Sequence, residues 1–327
     1  MHLRTRLTER LDIEHPIISA PMGFVSGGRL AAAISNAGGL GLIGGGYGDA
    51  EWLEREFLAA GNAKVGCGFI TWSLPNNPAL LDQVLERQPA ALMLSFGSPA
   101  PFAERIRQAG VPLMCQVKSM AHARAAVDAG ADIVVAQGGE AGGHGGHRAT
   151  FTLVPEIADF LAGAAPTTLL VAAGGVGDGR GLAAALMLGA DGVLIGTRLI
   201  ATPEAATPPA FQAAVVGADG DATVKTTVVD VVRNYQWPSE FNGRALKNRF
   251  VSTWHGREEA LAEASTNAVE NERYWNAFRS GDTDNTGVFM GEAAGVIRDV
   301  QPAGRIVEDM VAEAGRLLAA GARHVAD

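Results

Sequence analysis

Eight short apolar runs begin near Pro16, Leu40, Lys64, Ala90, Pro112, Ile133, Thr168 and Gly192. Most lead into a polar or glycine-rich turn and then an alanine-rich amphipathic segment, as at 29–37, 100–109, 121–129 and 179–188. The runs lack strict apolar–polar alternation, as expected of parallel strands buried on both faces. Eight strand-then-helix units predict an α/β fold, a (β/α)8 TIM barrel. A doubly wound sheet is the alternative, but it does not usually stop at eight regular repeats.

After Thr202 the rhythm changes. Residues 203–290 show no clean strand and carry Tyr235, Trp237, Trp254, Tyr274 and Trp275, while 256–279 has helical spacing and many charges. The expected organisation is a barrel over 1–203 and 291–327 with a mainly helical cap or substrate region over 204–290. Segment 304–320 is patterned as a helix that returns to the barrel wall. With 327 residues and 47% hydrophobic content, one barrel of this kind can bury its core. The 42 glycines and 19% charged residues suit many tight strand–loop–helix junctions rather than disorder.

A net charge of −9 argues against nucleic acid or an anionic membrane as the main partner. An anionic substrate would need local positive dipoles to offset that field. Cys67 and Cys115 lie inside apolar runs, which suits buried thiols in a reducing compartment, without disulfide or zinc spacing. The first residues carry charge with no apolar stretch behind them, so no signal peptide is expected. Stretches 30–48 and 160–177 reach membrane-span length, but glycines and polar residues break both. The expected address is the cytoplasm, with no membrane partner.

The chemistry concentrates in Gly138-Gly139-Glu140-Ala141-Gly142-Gly143-His144-Gly145-Gly146-His147, directly after the Ile133 run. Glycines there let backbone N–H groups approach a ligand and permit positive φ. His144 is the one group among them that titrates near neutral pH. In barrels, ligands bind at the C-terminal ends of the strands, and phosphate often sits after strands seven and eight. Those loops read Ala173-Gly174-Gly175-Val176-Gly177-Asp178 and Ile195-Gly196-Thr197-Arg198, a plausible phosphate cup to which a helix starting near Asp178 would add its N-terminal dipole.

Several competing readings are set aside. Gly39-Leu40-Gly41-Leu42-Ile43-Gly44 matches G-x-G-x-x-G, but its middle is strand and no acidic residue ends a strand about 20 residues on. Glu140, His144 and His147 have ligand-like spacing, yet glycines disfavour a helix there and no fourth ligand is evident, so no metal is expected. His147 is expected at the loop edge and His122 at the surface. Lys118 is a weak Schiff-base candidate. Gln116 and Gln137 end strands five and six, where each can donate and accept at a flat heterocycle.

Taken together, these residues resemble the nitronate monooxygenase family, formerly 2-nitropropane dioxygenases, which are FMN-dependent TIM barrels. The likeness spans nearly the whole chain. It rests on Pro16-Ile17-Ile18-Ser19-Ala20-Pro21-Met22, Ala37-Gly38-Gly39-Leu40-Gly41, Glu140-Ala141-Gly142-Gly143-His144, Gly174-Gly175 with Asp178-Gly179-Arg180-Gly181, and Gly189-Ala190-Asp191 with Gly196-Thr197-Arg198. The resemblance implies that Met22 packs its backbone on the flavin and Gln116 meets its N1/C2-carbonyl side. Gln137, Gly142 and Gly143 would line the isoalloxazine, and Gly174, Gly175, Gly196 and Thr197 would hold the phosphate. His144 would face substrate near flavin N5 as the catalytic group. Many relatives carry a G-V-N motif after strand three where this chain has Gly66-Cys67-Gly68-Phe69, so that asparagine contact is absent.

The implied activity is oxidation of alkyl nitronates, and of nitroalkanes if His144 deprotonates them, with O2 to carbonyl compounds and nitrite. A homodimer is the assembly left open. NAD(P)H-dependent FMN reductases of quinones or enoyl thioesters share the fold and histidine motif and form the main alternative. A flavin-free barrel lyase or isomerase, and a non-catalytic binding protein, come behind them.

Overall fold

A computed structural model describes residues 2–324. Eight parallel strands form one sheet: β1 (Ile17–Ser19), β2 (Gly41–Gly44), β3 (Val65–Ile70), β4 (Leu92–Ser95), β5 (Leu113–Val117), β6 (Ile133–Gln137), β8 (Leu169–Ala173) and β9 (Gly192–Ile195). Their order is β1-β9-β8-β6-β5-β4-β3-β2, and a parallel bridge between Ile18 and Leu40 joins the two ends. The eight strands thus coincide with the eight apolar runs, and the fold is a (β/α)8 barrel.

Strand composition follows from burial on both sides. Ile18, Leu42, Met93, Met114, Ile133, Val135, Val171 and Leu194 share the barrel interior. Their neighbours Ile17, Ile43, Cys67, Leu92, Cys115, Val134, Leu170 and Val193 pack outward against the helices. With no wet face, no polar alternation is needed. A short helix, Arg6–Leu11, contributes Leu7 and Leu11 to the interior cluster and seals the N-terminal end of the barrel. The Ala303–Ala320 helix docks on the Gly179–Met187 and Gly28–Asn36 helices, completing the outer ring as the pattern at 304–320 implied.

The 203–290 region departs from expectation. It contains β10 (Thr223–Thr226) and β11 (Asn242–Leu246), which pair antiparallel. A third strand, β7 (Gly143–Gly145), joins β11 with His144 opposite Gly243. The glycine–histidine segment is therefore partly strand, not a free loop. These strands escaped notice because they are short, polar and only half-buried, with Thr-Val-Lys-Thr and Asn-Gly-Arg-Ala-Leu presenting little apolar signal. Helices make up much of the rest, including Pro209–Gly217, Val228–Val232 and Ala264–Ser280. No helix among the described residues is long and apolar enough to cross a membrane.

Candidate active site

The barrel strands deliver their C-terminal ends to one cavity of about 230 Å³, far more than a single water requires. Its floor comes from the residues that end or follow strands: Met22, Gly68, Ser95, Gln116, Gln137, Gly174, Gly175, Gly196 and Thr197. Ala141, Gly142, Gly143 and His144 form one wall, and Tyr47, Phe96, Arg233, Trp237 and Trp275 another. Every residue expected at the site from the sequence thus borders this single chamber.

His144 is buried, and its Nε2 lies 2.9 Å from both carboxylate oxygens of Asp230 on the Val228–Val232 helix. An ionised carboxylate only accepts, so this geometry assigns the proton to Nε2 and leaves the Nδ1 lone pair free. The imidazole lies flat against Trp237, with ring centres 3.4 Å apart and planes 4° from parallel. Phe96 and Phe289 contact its remaining sides. Such a ring has one orientation.

The two glutamines work as a chain. Ser95 Oγ donates to Gln116 Oε1 at 3.1 Å, Gln116 Nε2 donates to Gln137 Oε1 at 2.8 Å, and Gln137 Nε2 donates to the His144 carbonyl at 3.1 Å. Each Nε2 retains a second N–H for a ligand. The chain also ties the floor to the imidazole's own backbone.

Glycine is obligatory at several wall positions. A Cβ on Gly142 would sit 2.5 Å from the backbone of Met290 and Gly291, and Gly174 and Gly175 have φ of +94° and +76°. Among the described residues no acceptor takes the N–H of Gly174, Gly175, Gly196 or Thr197. The Thr197 hydroxyl accepts from the Gly291 N–H at 2.9 Å and keeps its own proton to donate. These donors suit a phosphate. The helix beginning at Gly179 does not add to them, contrary to expectation: Asp178 caps the N–H groups of Arg180 and Gly181, and Glu313 accepts from Gly179 at 2.8 Å. Its positive end is already neutralised.

Other candidates fall away from the chemistry. The Glu140 carboxylate takes the Thr150 N–H and O–H at 2.9 Å each, pinning the glycine loop to the next helix. Among the described residues no cluster of three metal-ligating side chains exists. His147 is exposed at the loop edge, and half-buried His122 pairs with Glu240. Lys118 bonds Glu240 and covers Phe241, so it is engaged in holding the 203–290 region. Burial pushes the Cys67 and Cys115 thiols up to about 12, leaving them protonated and inert. At Gly68 a Cβ would lie 2.3 Å from Pro21 Cγ, so the proline fills the space an asparagine would need.

Asp230 and Arg233 were missed by sequence reasoning. One signal was available: Val228-Val229-Asp230-Val231-Val232 sets a carboxylate among four valines, and a buried charge requires a partner. Nothing in the sequence names that partner, 86 residues away.

An eight-stranded parallel barrel with a glycine-walled chamber, an oriented imidazole and unpaired backbone donors defines a cofactor-using barrel enzyme. The nitronate monooxygenase family model matches residues 4–63 and 76–313. The chain belongs to that family and is a flavin-dependent oxidoreductase. It is 35% identical to the nitronate monooxygenase npaC of Metarhizium robertsii, over 94% of this chain and 93% of that protein. It is 33% identical to the (3aS,4S,5R,7aS)-5-hydroxy-7a-methyl-1-oxo-octahydro-1H-indene-4-carboxyl-CoA dehydrogenase of Mycobacterium tuberculosis, over 96% and 97%. The solved structure of FabK from Thermotoga maritima superposes with a TM-score of 0.87 at 30% identity, covering 99% of this chain and all of that one.

Proposed function

We propose that the protein is an FMN-dependent nitronate monooxygenase that oxidises alkyl nitronates, and neutral nitroalkanes after deprotonation, with O2 to carbonyl compounds and nitrite. The observation that carries this reading is the buried His144–Asp230 pair at the wall of the glycine-lined chamber. Met22, Gln116, Gln137, Gly142 and Gly143 would border the flavin ring, and Gly174, Gly175, Gly196 and Thr197 would hold its phosphate through N–H and hydroxyl donors. When bound there, the flavin would supply the redox chemistry that links nitronate oxidation to O2.

The chain's own residues handle position and protons. Nδ1 of His144 removes the α-proton of a nitroalkane, and Asp230 stabilises the resulting imidazolium through Nε2 without taking the proton itself. Trp237 holds the ring in plane and excludes water from it. A nitronate already lacks that proton, so it needs the ring as an imidazolium, donating from Nδ1, rather than as a base. Residues 204–290 serve as the cap that closes this chamber.

An NAD(P)H-dependent FMN reductase is the second reading, favoured by the full-length likeness to a carboxyl-CoA dehydrogenase. Anaerobic mixing of the flavin-loaded enzyme separates the two. Bleaching of the flavin by a nitronate, and not by NADH or NADPH, is expected. Rapid bleaching by a nicotinamide with no response to nitronates would exclude the monooxygenase reading.

A further inference from the structure

Arg233 is the C-cap residue of the Val228–Val232 helix and borders the chamber, yet its side chain has no anionic partner among the described residues. It is 9% exposed, and Nε and Nη2 are buried without a hydrogen-bond partner. These two donors share one edge of the guanidinium, the edge that grips two coplanar oxygens. Among the described residues no carboxylate lies within ion-pair distance of it; the nearby Asp230 gives both oxygens to His144. Burial pushes the phenols of Tyr47 and Tyr274 up, so they stay neutral and supply no counter-charge. The guanidinium instead faces aromatic rings, with Tyr235 at 4.4 Å, Trp275 at 5.5 Å, Tyr47 at 5.6 Å and Phe24 at 5.7 Å. Ring faces attract a cation but cannot satisfy its donors, and the nearby Tyr235 hydroxyl offers one neutral acceptor outside hydrogen-bond geometry for Nε and Nη2.

A buried arginine with an open fork implies an anion that arrives with the ligand. We propose that Arg233 anchors a carboxylate-type oxyanion at the far end of a substrate whose flat, apolar body lies on the aromatic wall. This rests on the reading that the chamber admits substrate beside the flavin, and it names what that substrate carries. Asp230 and Arg233 are three residues apart, so one helical turn separates the support of the base from the anchor. The reacting carbon meets His144 while the distal oxyanion meets Arg233. Phe24, held at φ +64° and 42% exposed, stands edge-on to Trp275 and Phe278 on that wall. The net charge of −9 makes a local cation the means by which an anionic substrate is admitted.

Tryptophan fluorescence of the flavin-loaded enzyme reads this directly, because Trp275 adjoins the guanidinium. Phenylacetate and cyclohexanecarboxylate should saturate with affinities at least about 30-fold tighter than their methyl esters. R233M should erase that preference, and R233K, which keeps the charge without the fork, should restore part of it. Equal binding of acid and ester by the wild type overturns the proposal with no variant involved, as does an undiminished preference in R233M. Binding of inorganic phosphate or adenosine monophosphate in place of carboxylates also overturns it, assigning the fork to a nucleotide. The reaction reading is tested separately: nitronate turnover without carboxylate preference sinks the anchor alone. Carboxylate preference without nitronate turnover sinks the reaction alone.

Discussion

His144 holds its proton on Nε2 because Asp230 accepts it there through both oxygens, at 2.9 Å each, with both side chains buried. In D230N an amide can present an N–H instead, favouring the wrong tautomer and moving the proton to the nitrogen meant to act as base. Turnover of neutral nitroalkanes should therefore fall by about 10²-fold or more, with flavin content unchanged. H144N should lower the same rate by about 10²–10⁴-fold while leaving pre-formed nitronates less affected. Steady-state rates on matched nitroalkane and nitronate pairs check both variants. Equal losses on the two substrates would show that proton abstraction is not the role of this pair.

Backbone crowding sets the behaviour of the glycine wall at the scale of elements. β7 pairs with β11, and Gly142 just before it abuts the chain at 290–291 with no room for a methyl group: its Cβ would stand 2.5 Å from two backbone atoms. G142A should cost about 3 kcal/mol or more, since backbone rather than a flexible side chain must shift. Gly143 has a φ of +67° but open space around it, so G143A should cost roughly 1–2 kcal/mol from left-handed strain alone. Urea unfolding of the two neighbours, together with their flavin content, measures the contrast. Comparable losses would mean that conformation, not close approach, dictates both glycines.

For the whole molecule, the 203–290 region is tied to the glycine–histidine segment where Lys225 on β10 hydrogen-bonds the Gly146 carbonyl beside β7. Burial, helped by the nearby charges of Arg244 and Lys118, pushes the Lys225 ammonium down to about 8 from an ordinary 10.5. Between those values the unfolded chain holds a proton that the folded chain has released. Below about pH 8 the folded chain therefore carries a constant penalty for this charge, and stability rises as pH climbs through that window. K225M should flatten the increase in urea midpoint between about pH 8 and 10.5. An unaltered slope would place the titration elsewhere.

Legibility followed the range of the interactions. Each barrel strand was readable because burial on both faces leaves an uninterrupted apolar run. The glycine–histidine segment was readable because close backbone approach excludes other residues. β10 and β11 were not, since a half-wet three-stranded sheet of Thr, Lys, Asn and Arg carries little local pattern. The Gly179 helix was read as an open positive end, and only the fold shows that Glu313, 134 residues away, reaches its first amide.

The sequence by itself determined the barrel, the position of the chamber at its C-terminal rim and most residues of its floor, though not Ser95, because these depend on local burial periodicity and on where a backbone must be bare. Only the tertiary structure decided what the imidazole is bonded to, that the Gly179 helix terminus is already capped, and that Arg233 is buried with no counter-ion among the described residues. Those are pairings between charges far apart in the chain, and a partner's identity becomes physical only when folding brings both groups out of water.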